Sequence, residues 1–253
     1  MNPREYRRLM SESYSLAAGV VEGPELEFWL RMARESPGPI LELGSGTGRI
    51  LIPLLQRGLD VTGIDTSAEM TGRCLENCRA RGLVPTIHQQ PMQELSLPNR
   101  FALVILGSCG LGLLLSDEDV ARSLARVWAH LLPKGRFVLE IEPAPPGPKY
   151  DPARWSGNWV HGPGGVVIAS RRIVRYDPVT HLWENLTIFD KFVDGRWIEA
   201  EANERAGRYF TPDEVRRRLE ESGFERIEIS HWLGAGPPRT DSEVLTVTCH
   251  RPG

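Results

Sequence analysis

The chain has 253 residues, enough for one large α/β domain or for a domain with an insertion, and enough to bury a substantial core. Its hydrophobic fraction of 41% and charged fraction of 25% are those of an ordinary globular protein, and the net charge of −3 argues against general binding to nucleic acid or anionic membranes. The sequence shows no signal-peptide core and no membrane-length apolar run, and its four cysteines form no paired framework, so we expect a protein of the reducing cytoplasm.

Strand and helix patterns alternate through the first half of the chain. An initial helix is predicted over 24–35, where Leu26, Trp29, Leu30 and Ala33 form one apolar stripe. Strands are then expected at 39–43, 60–65, 83–88 and 101–106, and helices at 50–56, from Ser67 to about Arg81, and at 117–132. Residues Pro133-Lys134-Gly135 turn the chain into a fifth strand at 136–142. Alternation of this length predicts a parallel, doubly wound sheet.

The pattern changes after the fifth strand. Residues 143–165 are rich in proline and glycine and are expected to form a loop, whereas three β-type runs joined by turn sequences follow up to residue 208. Thr211-Pro212-Asp213-Glu214 then has the features of a capped helix start, and two last strands are expected at 224–232 and 244–250.

These patterns define the expected fold class and its division into parts. The class is α/β, with a Rossmann-like seven-stranded doubly wound sheet and an inserted three-stranded antiparallel β-sheet. Residues 1–144 and 208–253 are expected to form the core, and residues 145–207 the insert.

The most informative motif is the glycine-rich turn Gly44-Ser45-Gly46-Thr47-Gly48 between the first strand and its helix. Such a turn lets the backbone approach a ligand closely and directs helix N–H groups at it. A dinucleotide fingerprint would need glycine at position 49, which is Arg49, and a phosphate-binding P-loop would need Gly-Lys-Ser/Thr. Asp65 lies 21 residues after Gly44, at the end of the second strand, where it can accept hydrogen bonds from both hydroxyls of a ribose. The simpler alternative is a tight turn followed by a capping aspartate.

The segments ILELGSGTGR and VTGIDTSAEM resemble the first two motifs of class I S-adenosylmethionine-dependent methyltransferases, particularly their bacterial small-molecule branch. The segments HLLPKGRFVLEI and RYFTPDEVRRRLEESGFE resemble that family's turn into strand five and its last helix. The resemblance covers nearly the whole chain. It implies a methyltransferase with S-adenosylmethionine as cofactor and S-adenosylhomocysteine as product.

The resemblance also implies a cofactor-binding residue at each of several strand ends. Around the methionine part, Glu42 is expected near the amino group, Leu106, Gly107 and Ser108 are expected to face the methionine and methyl group, and Tyr14 is expected over the site from an N-terminal helix. The turn residues Gly44, Ser45, Gly46 and Gly48 are expected under the methionine and ribose, and Asp65 is expected to bind the ribose hydroxyls. Thr66 and Met70 are expected beside the adenosine, and Pro91, Met92 and Gln93 beside the adenine. Relatives often have an acidic residue at Pro91, so Gln90 or Gln93 would substitute as a partner for the adenine amino group.

The acceptor side is less specific. A general base is needed only for a hydroxyl or a protonated amine, and the candidates are His161, His181 and His231, with Glu184 and Asp190. The aromatic residues Trp155, Trp159, Trp183, Trp197 and Tyr209 lie in or beside the insert and predict a substrate lid there. Arg171, Arg172 and Arg208 are candidates for an anionic group on the acceptor, although arginines on an exposed strand face are expected anyway. No metal site is expected, because Cys74 and Cys78 have no second pair or histidine cluster and are interpreted as small buried or half-buried residues.

The leading functional hypothesis is transfer of a methyl group to nitrogen or oxygen of a small-molecule acceptor by in-line displacement. The alternatives are a methyltransferase acting on RNA or protein and a non-catalytic S-adenosylmethionine-binding partner protein. The low net charge and the sequence LGSCG after strand four, in place of an Asn-Pro-Pro-Tyr-type motif, count against a macromolecular acceptor. No nucleic-acid or membrane partner is expected, and the insert is expected to serve as a lid or as a homodimer interface.

Overall fold

The computed structural model describes residues 6–145 and 154–253. Its elements are the helices α1 (Arg8–Ala18), α2 (Gly23–Glu35), α3 (Leu51–Leu55), α4 (Ala68–Arg79), α5 (Asp117–His130) and α6 (Pro212–Glu221), and the strands β1 (Ile40–Leu43), β2 (Val61–Asp65), β3 (Thr86–Gln89), β4 (Phe101–Leu106), β5 (Leu131–Ile141), β6 (Ser156–His161), β7 (Val166–Tyr176), β8 (Leu182–Val193), β9 (Arg196–Arg208), β10 (Glu225–His231) and β11 (Leu245–His250). No helix in the described part of the chain has the length and apolar character needed to cross a membrane.

A seven-stranded sheet forms the centre of the molecule, in the order β10-β11-β5-β4-β1-β2-β3. The strands from β1 to β5 pair in parallel, and β11 runs antiparallel to both β5 and β10. The central strands β1 and β4 are buried along their whole length, as expected for parallel strands covered by helices on both faces. The predicted α/β class and its seven-stranded doubly wound sheet are therefore confirmed.

Local sequence signals explain where several helices begin. Ser67, Ser116 and Thr211 each accept a hydrogen bond from the backbone N–H three residues later, at the start of α4, α5 and α6. Pro212 occupies the first turn of α6, where its missing N–H costs nothing. The expected buried thiols Cys74 and Cys78 lie on the inner side of α4, under the sheet.

The inserted sheet has four strands, where three were expected. The additional strand is β6, within the segment predicted to be a loop, and it pairs antiparallel with β7. It is an edge strand with five of its six residues exposed, so it lacks the apolar alternation that marks a half-buried strand. The runs predicted at 166–176, 181–193 and 196–208 form β7, β8 and β9, with only the first residue of the second run outside its strand.

Other elements also differ from the predicted ones. Strand β3 begins at Thr86 and is mostly exposed because it is the sheet edge. Helix α5 ends at His130, and the predicted turn around Lys134 is a bulge within β5, where Lys134 has a φ of 63°. Helix α1 was expected only from the family resemblance, because its sequence shows no strong apolar period.

Candidate functional site

The candidate site lies where the parallel strands end. The glycine turn follows β1, Asp65 ends β2, and Leu106 ends β4, so three loops meet at one edge of the sheet. The register aligns Leu43 with Ile64 and Asp65 with Gln89, which places these ends at the same level. The carboxyl edge of an open parallel sheet is where such folds bind ligands.

The glycine turn is open on the side away from the core. Gly44 and Gly46 have φ values of 62° and 54°, and a Cβ built on either would meet no side chain within 4 Å. Gly48 differs, because a Cβ there would approach Ile52 and Cys74 within 2.8 Å. The first two glycines therefore leave room for a ligand, whereas the third allows α3 and α4 to pack closely.

Asp65 holds the glycine turn as well as facing the site. One carboxylate oxygen accepts a hydrogen bond from the N–H of Gly46 at 2.9 Å, and the other accepts from the N–H of Ser67 at 2.8 Å. Burial raises the pKa of Asp65, and these backbone N–H groups oppose that shift. Each oxygen retains a lone pair for a further donor.

Glu42 is a buried acid in the interior of the sheet. Its side chain is 3% exposed, and its Oε2 atom has no hydrogen-bond partner among the described residues. Burial raises the pKa of Glu42 well above its ordinary value, while the charge of Arg49 acts in the opposite direction. The backbone of Leu51 donates one hydrogen bond to this carboxyl group, and a cationic group placed over the glycine turn would satisfy the remaining oxygen.

Glu140 on β5 is a site residue that sequence reasoning missed. Its carboxylate accepts from the N–H of Ser108 at 2.7 Å and from the indole N–H of Trp232 at 2.8 Å. Ser108 and Cys109 both have positive φ values, 52° and 55°, so this acid holds an unusual backbone segment after β4. The available signal was an acidic residue within the buried run of strand five.

Helix α1 lies against the segment that follows β4. The hydroxyl of Tyr14 lies 3.5 Å from the hydroxyl of Ser108, which is also 3.5 Å from the guanidinium of Arg49. Arg49 is held by two hydrogen bonds to Glu25, at 2.6 and 2.8 Å. Tyr14 thus lies beside the segment that follows β4, and its expected role in capping the cofactor site stays a prediction.

A cavity of about 210 Å³ lies between α1, the end of β5 and the insert. Its polar lining groups belong to Tyr6, Tyr14, Ser108, Glu142, Arg205 and Arg208, and Trp183 and Phe210 contribute aromatic surface. Ser108 and Cys109, in the segment after β4, line one side of the cavity.

The remaining predicted cofactor residues lie around the same edge but differ in exposure. Met70 is 2% exposed and packs inside the fold, while Thr66 is exposed. Pro91, Met92 and Gln93 follow β3 and are half-buried. Among the suggested partners for an adenine, Gln90 already accepts from the N–H of Ser96 at 2.9 Å, and Gln93 is the more available side chain.

The three histidine candidates do not line the cavity. His161 is exposed at the end of β6, and His181 lies in the turn before β8 with a φ of 57°. His231 lies beside Trp232 in a separate groove against α2, and its ring nitrogens contact Ser242 and Arg239 at 2.8 Å. Their role as base stays a prediction, and the geometry favours none of them.

The aromatic residues of the insert divide into two groups. Trp183 lines the cavity and packs near the buried Tyr209, at 6.5 Å between ring centroids. Trp155, Trp159 and Trp197 are exposed and do not line it.

The candidate arginines divide similarly. Arg208 lines the cavity but is paired with Asp117 and Glu214, whereas Arg171 and Arg172 are exposed outside it. Arg205, which sequence reasoning missed, lines the cavity with its guanidinium 4.1 Å from the ring centre of Tyr6. Among the described residues, no carboxylate pairs with Arg205.

Comparison with known proteins agrees with this geometry. Residues 40–135 match the model of a methyltransferase domain family. The chain is 31% identical over 103 residues to a glycine/sarcosine N-methyltransferase of Halorhodospira halochloris, covering 40% of this chain and 38% of that protein. It is 24% identical over 174 residues to a dTDP-3-amino-3,4,6-trideoxy-alpha-D-glucopyranose N,N-dimethyltransferase of Streptomyces venezuelae, covering 67% and 69% of the two chains.

The solved structures show the same fold over the full length. A S-adenosylmethionine-dependent methyltransferase from Clostridium acetobutylicum superposes with a TM-score of 0.79 at 16% identity, covering 97% of this chain and 98% of the other. By contrast, the alignments with several curated relatives span only 38% to 46% of their lengths, so this chain matches less than half of those proteins. The family match therefore covers residues 40–135, and the similarity to the solved methyltransferase structure extends the same fold over nearly the whole chain.

Proposed function

We propose that this protein transfers the methyl group of S-adenosylmethionine to a nitrogen or oxygen atom of a small-molecule acceptor. The observation that carries the proposal is the pairing of an open glycine turn with the buried carboxyl group of Glu42, whose Oε2 atom has no hydrogen-bond partner among the described residues. An amino-acid-bearing nucleoside fits both features, because its ammonium group would satisfy Glu42 and its ribose hydroxyls would donate to Asp65. A nicotinamide dinucleotide has no ammonium group to offer.

The cavity supports a small acceptor. Its volume of about 210 Å³ suits a compact molecule, and it is closed by α1 and the insert. Arg205 offers a cation to an anionic group of the acceptor, and the relatives include enzymes whose named substrates are glycine, sarcosine and a nucleotide-linked amino sugar. We therefore propose that the insert, of which residues 154–207 are described, closes the acceptor side.

The protein's main task in this reaction is placement. When bound, S-adenosylmethionine supplies a methyl group already activated by its sulfonium, so the chain has to align a nucleophile and exclude water. Tyr14 and Ser108 face the junction between turn and cavity, where they can orient an acceptor amine or hydroxyl. Glu142 lines the same cavity and is the carboxylate placed to take the proton that the acceptor loses.

The first test is cofactor binding by calorimetry. The wild-type protein should bind S-adenosylmethionine, and Asp65→Ala should bind it at least about tenfold more weakly, since the substitution removes hydrogen bonds to a partly buried ribose and releases the glycine turn. Asp60→Ala, at an exposed position before the same strand, is the matched control. Unchanged affinity in Asp65→Ala would show that this carboxylate does not hold the cofactor.

The second test is methyl transfer to small acceptors, detected as a mass gain of one methyl group. The panel should pair glycine, sarcosine and an amino sugar phosphate with neutral counterparts lacking the anion. We expect transfer to an anionic amine, a raised KM in Arg205→Gln and a lowered kcat with unchanged cofactor affinity in Glu142→Gln. Transfer to RNA or protein but to no small molecule would overturn the proposed acceptor class.

A further inference from the structure

The inserted sheet has two distinct faces, because successive side chains of a strand point to opposite sides. One face packs on α1, where Leu9, Ile168 and Phe189 form a small buried core. Arg205 and Trp183 lie on this inner face and line the cavity. The opposite, outer face is covered by no described element, and its residues are half-buried or exposed.

The outer face is largely apolar. The pairing register places its larger apolar side chains in neighbouring rows, and these are Trp159, Ile173, Leu186, Ile188, Phe192 and Trp197. Trp159 is 66% exposed and Trp197 59% exposed. A sheet face in water normally alternates to polar residues, and a contiguous apolar patch of this kind marks an interaction surface.

The charges on the outer face are separated by strand. Strand β7 contributes only cations, Arg171 and Arg175, and the neighbouring strand β8 contributes only acids, Glu184 and Asp190. Arg175 and Glu184 stand directly opposite each other in the register. Consider a two-fold axis that runs parallel to the strands, in front of the outer face and above the line between β7 and β8. This axis would place β7 of one copy over β8 of a second. The face is therefore complementary to itself.

We propose that the outer face of the inserted sheet is the interface of a homodimer, in which two copies pack sheet against sheet. Four strands spaced about 4.8 Å apart and paired over some 30 Å offer roughly 600 Å² a copy, so the pair would bury about 1,200 Å², the lower end of the range for stable interfaces. Apolar side chains occupy the centre, and the separated charges fix the relative orientation. This proposal is independent of the acceptor and of the methyl-transfer reaction.

Analytical ultracentrifugation over a wide range of protein concentration tests the proposal. The wild-type protein should sediment as a dimer at micromolar concentration. Ile188→Lys should raise the dimer dissociation constant roughly a hundredfold, because Arg171 and Ile188 are register partners and the two-fold axis therefore places each introduced ammonium group against Arg171 of the second copy. Val179→Lys is the matched control, since Val179 is 87% exposed in the β7–β8 turn, beyond the face. Circular dichroism and S-adenosylmethionine binding should be the same for both variants.

A charge exchange tests the relative orientation. Arg175→Glu and Glu184→Arg should each weaken the dimer about tenfold, and the double variant should recover the wild-type constant. A wild-type protein that stays monomeric up to about 100 µM would overturn the proposal. So would a dimer that Ile188→Lys leaves intact, and a double variant as weak as the single ones would contradict the stated two-fold arrangement.

Discussion

At the scale of single residues, the most informative feature is the cost of burying Glu42. An acid with a raised pKa in the folded state binds a proton more tightly there than in the unfolded chain. Above its ordinary pKa of 4.5, the folded protein without cofactor therefore holds more protons than the unfolded chain, and its free energy of unfolding falls as the pH rises. We interpret Glu42 as a counterion for the cofactor's ammonium group that is already in place before the cofactor binds, at the expense of stability in the cofactor-free protein.

Glu42→Gln should remove that cost and weaken binding at the same time. Without cofactor, the variant should be more stable than the wild type at pH 8, and urea titrations from pH 5 to pH 8 should show a smaller fall in its free energy of unfolding with rising pH. Its affinity for S-adenosylmethionine should fall at least about tenfold, as expected for loss of a charged partner in a buried site. An equal pH dependence in the two proteins would contradict the assigned raised pKa.

At the scale of secondary-structure elements, helix α1 depends on the insert for its N-terminal cap. The N-cap residue Arg7 makes no side-chain capping bond to the helix, and the N–H groups of Leu9 and Met10 instead donate to the two carboxylate oxygens of Glu201 on β9, at 3.2 and 3.1 Å. Lys191 on β8 adds an ion pair to Glu12 at 2.7 Å. The insert therefore positions the helix that carries Tyr14.

Glu201→Ala should loosen α1 without unfolding the core. A lost cap costs about 1 kcal/mol, so we expect a roughly fivefold rise in the KM of the acceptor and faster hydrogen exchange at residues 8–18. Glu204→Ala, on the outer face of the same strand, should leave both unchanged. Glu201→Gln should recover part of the protection, because its amide oxygen still accepts one bond, and a result identical to alanine would argue against capping as the cause.

At the scale of the whole molecule, the candidate site is shared by three parts of the chain. The central sheet supplies the glycine turn and both buried acids, α1 supplies Tyr14, and the insert supplies Arg205 and Trp183. The insert joins the core at the bridge between Pro143 and Phe210 and through Arg208, which pairs with Asp117 of α5. A ligand held at this junction should stabilise the entire fold.

S-adenosylhomocysteine at about one hundred times its Kd should add about 2.7 kcal/mol to the free energy of unfolding and raise the unfolding temperature by roughly 5–10 °C for a chain of this size. Differential scanning calorimetry measures the shift, which Asp65→Ala should largely abolish at the same ligand concentration. A shift with NAD and none with S-adenosylhomocysteine would contradict the cofactor assignment.

Local signals account for what the sequence by itself determined. The glycine turn, Asp65 and the helix caps Ser67 and Thr211 act over a few residues or over one strand–helix–strand unit, so spacing along the chain was enough to predict them. The alternation of apolar runs with helices likewise determined the doubly wound sheet, because parallel strands need crossover connections. The long insert strands β7, β8 and β9 were recognisable by their β-type runs and their turns.

Only the tertiary structure decided which distant residues meet. The bond from Ser108 to Glu140 joins positions 32 residues apart, the contact between Tyr14 and Ser108 joins positions 94 apart, and the cap of α1 comes from a residue 191 or more positions away. Such pairs cannot be recognised from the periodicity or the spacing of residues in the sequence, because each depends on how separate elements pack. The edge strand β6 was missed for the related reason that its stability comes from pairing with β7, and the two faces of the insert became distinct only when α1 covered one of them.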